Sequence, residues 1–182
     1  DYLFIIQFDR QVASLSPELF MQKYLYENKI RHVVCGFDFK FGCKNSGNHE
    51  TLINSQLFDV SVIEEVLYEN KKISSSRIRE ELNSGHIKEV NTLLGRAYSI
   101  KGEVIKGRQI GRKIGFPTAN ISYGQYHLPC FGVYAVKVVI DKDTYYGMCN
   151  IGLNPTFSEL NKPSLEVHIF DFDDDLYHQE IK

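Results

Sequence analysis

The density of chain-reversing residues changes abruptly near Gly95, and this change constrains the fold more than any other feature of the sequence. Residues 1–94 hold four glycines and one proline, whereas residues 95–182 hold nine glycines and four prolines. A chain that reverses so often is built from short strands and turns, while the part before Gly95 has room for helices and crossovers. The hydrophobic pattern agrees. Before the break, short apolar runs at residues 2–6, 32–35 and 58–63 alternate with helical periodicity, an order that implies a parallel α/β arrangement. Pro17 behind Ser16 predicts a helix reaching about Tyr26, because proline at the first helical position forfeits no hydrogen bond. Residues 74–94 predict two short helices closing at Gly85 and Gly95, with Ile78, Leu82, Ile87, Val90 and Leu94 facing the core.

After Gly95 the pattern shifts to period two with β-branched and aromatic residues, at residues 98–105, 132–140, 144–150 and 165–170. Asp141-Lys142-Asp143 predicts a hairpin between the second and third of these. A small antiparallel barrel is expected. No linker rich in Gly, Ser or Pro separates the halves, and there is no internal repeat. With 182 residues, 43% of them apolar or aromatic, the chain has material for one core of ordinary size or two small ones. The 21 basic and 23 acidic residues give a net charge of -2, so no chain-wide basic excess supports nucleic-acid binding. The apolar runs are far shorter than the roughly 20 residues of a membrane span. No signal peptide is visible, and Cys35, Cys43, Cys130 and Cys149 are too widely spaced for a disulfide ladder, so a cytoplasmic protein with reduced thiols is expected. The spacing of Cys35 and Cys43, with His32 or His49 nearby, does not match common zinc sites, and the thiols read as small apolar groups.

The densest polar signal lies between Lys106 and Asn120. Gly107, Gly111 and Gly115 recur every four residues and let the backbone approach a ligand closely, and Lys106, Arg108, Arg112 and Lys113 bring positive charge. Such a loop suits a polyphosphate, and a solvated basic loop has the same composition. It is neither a Walker A sequence nor a GxGxxG turn. Beyond Phe116 and Pro117, Thr118 and Asn120 stand at i and i+2 of an extended segment, two neutral oxygen donors on one side that suit magnesium or serve as turn residues. Glu166 lies in an apolar strand and shares its face with His168. A carboxylate presented this way can accept the proton of a substrate hydroxyl in phosphoryl transfer, although an exposed strand face carries such residues without chemistry. The acidic residues Asp171, Asp173, Asp174 and Asp175 read as a solvated turn. In the first half, Ser74, Ser75, Arg77 and Arg79 sit at a helix start that suits an anion or only a cap. Gly36, Asp38, Phe39, Phe41 and Gly42 follow a strand, where open α/β sheets bind ligands, and the aromatics suit a core equally well.

Taken in order, these residues resemble the bacterial bifunctional riboflavin kinase/FMN adenylyltransferases, or FAD synthetases, over essentially the whole chain. The most specific elements are Gly111-Arg112-Lys113-Ile114-Gly115-Phe116-Pro117-Thr118-Ala119-Asn120, then Asn150-Ile151-Gly152-Leu153-Asn154-Pro155-Thr156-Phe157, then Leu165-Glu166-Val167-His168-Ile169-Phe170-Asp171-Phe172 and Asp175-Leu176-Tyr177. The resemblance implies a Rossmann-like nucleotidyltransferase portion at residues 1–94 and a riboflavin kinase barrel at residues 95–182. It implies transfer of the ATP γ-phosphoryl to the riboflavin 5'-hydroxyl to give FMN, and of AMP to FMN to give FAD and pyrophosphate. Thr118 and Asn120 would hold Mg2+ with the ATP phosphates, Glu166 would be the general base, and the loop from Lys106 to Gly115 would cover the nucleotide. Ser74, Ser75, Arg77 and Arg79 would contact the second ATP, with Gly36, Asp38, Phe39, Phe41 and Gly42 in the adenylyltransferase pocket. No HxGH element is found, and the family continues past Leu176-Tyr177 into another strand and a helix, so a chain truncated at both ends is expected. His178 stands where the family more often has glycine. Two other readings compete: a kinase whose front half is vestigial, and a non-catalytic flavin- or nucleotide-binding module. Partners are expected to be small molecules, with no nucleic acid and no membrane, and the sequence leaves the oligomeric state open.

Overall fold

The computed structural model describes residues 2–107, 116–153 and 163–182. The chain divides into two compact units, Asp1–Lys72 and Ile73–Lys182. The first unit opens with a single helical turn, α1 (Arg10–Ala13), whose free Val12 N–H is capped by Asp9 at 2.9 Å. Helix α2 (Pro17–Phe20) starts where Ser16 and Pro17 predict, with Ser16 Oγ accepting from the Leu19 N–H. It continues through Met21–Tyr26 as a π-helical turn, where the Glu27 N–H reaches back five residues to the Gln22 carbonyl at 3.0 Å.

Strand β1 (His32–Gly36) follows, then a small hairpin of β2 (Lys40–Phe41) and β3 (Gly47–Asn48), helix α3 (His49–Asn54) and strand β4 (Asp59–Ile63). Asn48 and Thr51 form a reciprocal capping box that fixes the start of α3. β1 and β4 pair in parallel, from His32 opposite Asp59 to Gly36 opposite Ile63, and a short hairpin of β5 (Leu67–Tyr68) and β6 (Lys71–Lys72) closes the unit. Met21, Cys35, Phe41, Leu52 and Phe58 form its core. Of the three apolar runs expected as strands, 32–35 and 58–63 form the parallel pair and residues 2–6 do not form a strand. Tyr2 is 93% and Ile5 87% exposed, and among the described residues β1 and β4 pair only with each other.

The second unit begins with α4 (Ser75–Asn83) and α5 (Ile87–Leu94), as the glycine pattern predicts. Leu82 and Val90 are buried as expected, while Leu93 rather than Leu94 is buried with them. Gly85 has φ 75°, a left-handed conformation, and a Cβ there would stand 2.7 Å from the Cys130 sulfur. The Cys130 N–H donates to the Leu82 carbonyl at 2.9 Å, so the helix pair docks on the loop before the next long strand.

Six antiparallel strands follow: β7 (Gly102–Ile105), β8 (Ala119–Ser122), β9 (Gly132–Ile140), β10 (Asp143–Leu153), β11 (Pro163–Ile169) and β12 (Glu180–Ile181), in the order β12-β7-β8-β11-β10-β9. The outer strands meet as well, since Val139 and Lys182 exchange reciprocal backbone hydrogen bonds of 2.7 and 3.0 Å. The hairpin expected at 141–143 joins β9 to β10 with Asp141 at φ 52°. The expected strand at 98–105 starts only at Gly102. Tyr98 is held away from the ladder by α5, its N–H donating to Asn91 Oδ1 at 2.7 Å and its hydroxyl to the His127 carbonyl at 2.7 Å. Strict alternation turns Val104, Ile121, Val138, Cys149, Ile151, Leu165, Val167 and Ile169 inward into one core. Burial there pushes the Cys149 thiol up to about 11.

Candidate functional site

Strand register places the expected chemistry on β8 and β11. Glu166 of β11 lies directly opposite Asn120 of β8 on one side and Asn150 of β10 on the other. Directly opposite residues of an antiparallel pair share a face, with Cβ atoms about 5 Å apart, so Asn120, Glu166 and Asn150 form one row across three strands. The inward neighbours Leu165 and Val167 are buried, which fixes the row on the outer face.

Asn120 is tightly seated. A Cβ at Gly107 would overlap the Asn120 carboxamide, so glycine at 107 is required for the side chain to lie where it does. Thr118, two residues earlier, is exposed at the start of β8. The backbone just before Thr118 is pinned by His168, whose Nδ1 lies 2.8 Å from the Pro117 carbonyl and therefore carries the proton that is donated. Phe116 and Phe170 meet the imidazole edge-on, each with centroids 5.6 Å away. His168 thus couples the strand bearing Glu166 to the segment bearing Thr118.

A cleft of about 400 Å3 is lined by Val104, Pro117, Thr118, Ala119, Val167, Ile169, Phe172 and the 173–177 loop. Its lining combines apolar side chains with Thr118, Asp173, Asp174 and Asp175. Thr118 lines the cleft, whereas Asn120 and Glu166 do not, so Thr118 is the group that bridges the cleft and the outer-face row. Of the basic loop, Lys106 and Gly107 are described, and Arg108, Gly111, Arg112, Lys113 and Gly115 lie outside the described residues, as does the 154–157 part of the second motif.

The other candidates fall in two places. Ser74 caps α4, its hydroxyl accepting from the Arg77 N–H at 3.2 Å. Ser75 and Arg79 are exposed, and the Arg77 guanidinium donates to Glu89 of α5 at 3.0 Å. In the first unit, Gly36 ends β1, and Asp38 pairs with Lys72, which lies 4.5 Å over the Phe37 ring. The Lys72 hydrogen bond holds the Asp38 carboxyl below its usual range. Phe39 stacks on Phe41 at 5.4 Å, Phe41 is buried in the core, and Gly42 turns at φ 73°. Asn150, His168 and Gly107 acquire their places only through the register and packing. The period-two pattern of β10 carried a signal for Asn150, a polar residue between inward Cys149 and Ile151.

Comparison with known proteins defines the class first: residues 94–182 match the riboflavin kinase family and residues 1–77 the FAD synthetase family. The bifunctional riboflavin kinase/FMN adenylyltransferase of Bacillus subtilis is 41% identical over all of this chain and 59% of its own length. The namesake from Listeria monocytogenes is 40% identical over 99% of the chain and 58% of its own length, and that from Escherichia coli K12 33% over all of the chain and 59% of its own. The chain belongs to the family of bifunctional riboflavin kinase/FMN adenylyltransferases, and it spans about three fifths of the length of these relatives. A crystal structure described as a macrolide-efflux protein from Streptococcus pneumoniae superposes with a TM-score of 0.85 at 36% identity, covering 96% of this chain and 57% of that one. No helix among the described residues is long and apolar enough to cross a membrane.

Proposed function

We propose that the second unit is a riboflavin kinase barrel that transfers the γ-phosphoryl group of ATP to the 5'-hydroxyl of riboflavin. The observation that carries this reading is the register that sets Glu166 directly beside Asn120, with Thr118 on the cleft wall. The cleft takes the nucleotide base, and its phosphates run out past Thr118 to Asn120. Two neutral oxygen donors fit a magnesium ion that draws its remaining ligands from phosphate and water, and the ion when bound neutralises the phosphate charge. Glu166 accepts the hydroxyl proton as the riboflavin oxygen bonds to the γ-phosphorus, and the bond from that phosphorus to the bridging oxygen breaks to release ADP. Lys106, Arg108, Arg112 and Lys113 bring positive charge to the phosphates, with Gly107, Gly111 and Gly115 allowing close backbone approach and Phe116 and Pro117 leading into Thr118.

The match of residues 1–77 to the FAD synthetase family supports a second activity, transfer of AMP from ATP to FMN, within a Rossmann-like portion. In this reading Ser74, Ser75, Arg77 and Arg79 contact ATP, and Gly36, Asp38, Phe39, Phe41 and Gly42 belong to the flavin and nucleotide pocket, with the module boundary at residues 94 and 95. The test is conversion of riboflavin by the purified chain with ATP and magnesium, with FMN and FAD separated by chromatography. FMN is expected, and Glu166→Gln should lower its rate by at least about tenfold while flavin and nucleotide still bind. Binding without any transfer by the unaltered chain would establish a flavin- or nucleotide-binding module instead.

A further inference from the structure

We propose that Asn150 orients the acceptor: its carboxamide holds a hydroxyl of the substrate's polyol chain adjacent to the hydroxyl that Glu166 deprotonates. The inference rests on the kinase reading above and adds to it the direction from which the acceptor arrives. Asn150 is placed by register, directly opposite Glu166 on β11 and opposite Val133 on β9. Its side chain is exposed, and no hydrogen bond reaches it among the described residues. Asparagine is a poor strand former, and at this position it neither packs in the core nor caps a turn, so strand formation does not account for it.

The row is asymmetric in chemistry. On the β8 side of Glu166, the Asn120 carboxamide is packed against Gly107 and the next residue across is Ile105, which leaves that side to the phosphate donor. On the β10 and β9 side, the outer face carries Asn150 and then exposed apolar groups, Val133 at 68% and Met148 at 45%. A substrate with a polar chain at one end and a large apolar ring at the other matches that gradient, with its hydroxyls over β11 and β10 and its ring toward β9. A carboxamide both donates and accepts, as does a secondary hydroxyl, so one Asn satisfies one hydroxyl without adding charge beside the base. Losing such a contact costs about tenfold in discrimination, because the polar group left behind is unpaired.

The test compares two acceptors in the full chain: riboflavin, and a flavin whose unbranched side chain carries only the terminal hydroxyl. Asn150→Ala is expected to raise the KM for riboflavin about tenfold and to leave the KM for MgATP within about twofold. With the unbranched acceptor, wild type and N150A should turn over alike, because the partner hydroxyl is missing from both. Asn150→Ser, which keeps one hydrogen-bonding group, should fall between them and shows the same pattern if the alanine variant folds poorly. Equal losses on both acceptors, a raised MgATP KM, or no loss on riboflavin would overturn the assignment of Asn150 alone. Absence of FMN from the wild-type chain would overturn the kinase reading and this inference with it.

Discussion

The two compact units bury apolar surface with different backbones. In the second, six antiparallel strands alternate inward and outward, and the outer strands exchange hydrogen bonds, so eleven buried side chains form one cluster. In the first, Cys35 of the parallel pair β1–β4 joins four buried side chains contributed by helices, a short hairpin and a loop residue. A parallel pair needs covering on both faces, yet Val34 of β1 and Ile63 of β4 remain more than half exposed. The barrel's core is defined within its own ladder, whereas the first unit's depends on segments that happen to reach it. Local stability should differ accordingly.

The sharpest way to break this comparison is Leu52→Ala. Leu52 is completely buried in the smaller core, and its truncation should cost about 3 kcal/mol. Amide exchange is expected to quicken across β1 and β4 and stay unchanged in β10, and equal quickening in both would show one cooperative body. Alkali should act on the other unit. The Cys149 thiol is raised from 9.0 to about 11 by burial, so the folded state holds its proton longer than the unfolded one. Stability is full below pH 9 and falls as pH rises toward 11, by roughly 3 kcal/mol. Tyr134, pushed up to about 12 by burial and by the Cys130 hydrogen bond, adds to the same trend. Melting between pH 8 and 11 should show the barrel weakening, and Cys149→Val should flatten the curve.

Gly85→Ala tests the docking of the helix pair on the barrel. It combines a left-handed backbone with displacement of the Cys130 sulfur and should cost about 2 kcal/mol. A thiol reagent should then modify Cys130 faster than in wild type, and an unchanged rate would show that the helices stay docked. Removing the α4 cap by Ser74→Ala should cost about 1 kcal/mol, read as a lower urea midpoint. The smallest effect belongs to Asp38, whose carboxyl is held low by Lys72. Its contribution is present above the ordinary carboxylate range and is lost as pH falls through the depressed value. Because the pair is exposed, D38N should shift the acid melt less than Ser74→Ala shifts the urea midpoint.

Much of the barrel was legible because its pattern is local. Strand β9, the 141–143 hairpin and the two helices ending at Gly85 and Gly95 follow from alternation and turn residues that declare themselves within a few positions. Residues 2–6 read as a strand by the same criterion and are not one, since apolar content does not supply a ladder partner. Glu166, Thr118 and Asn120 were visible as residue types in an extended context, but their juxtaposition depends on a register between strands some 45 residues apart, which no local window contains. Asn150 was visible as a polar residue in an alternating strand, but its place opposite Glu166 was not, for the same reason. His178, where the family resemblance implies glycine, sits at φ 65°, a left-handed backbone that glycine adopts without strain.

The alternation along β11 has one more consequence, for how errors in folding are filtered. A slip of one residue against β8 or β10 would turn Glu166 and His168 inward and put Leu165, Val167 and Ile169 in water. Such a misfold carries a buried carboxylate and three stranded aliphatics, so it has little chance of persisting as a near-native but inactive species. The same spacing that aims the carboxylate therefore acts as a parity check on the barrel: molecules that pass it carry Glu166 beside Asn120, and those that fail it are left unfolded.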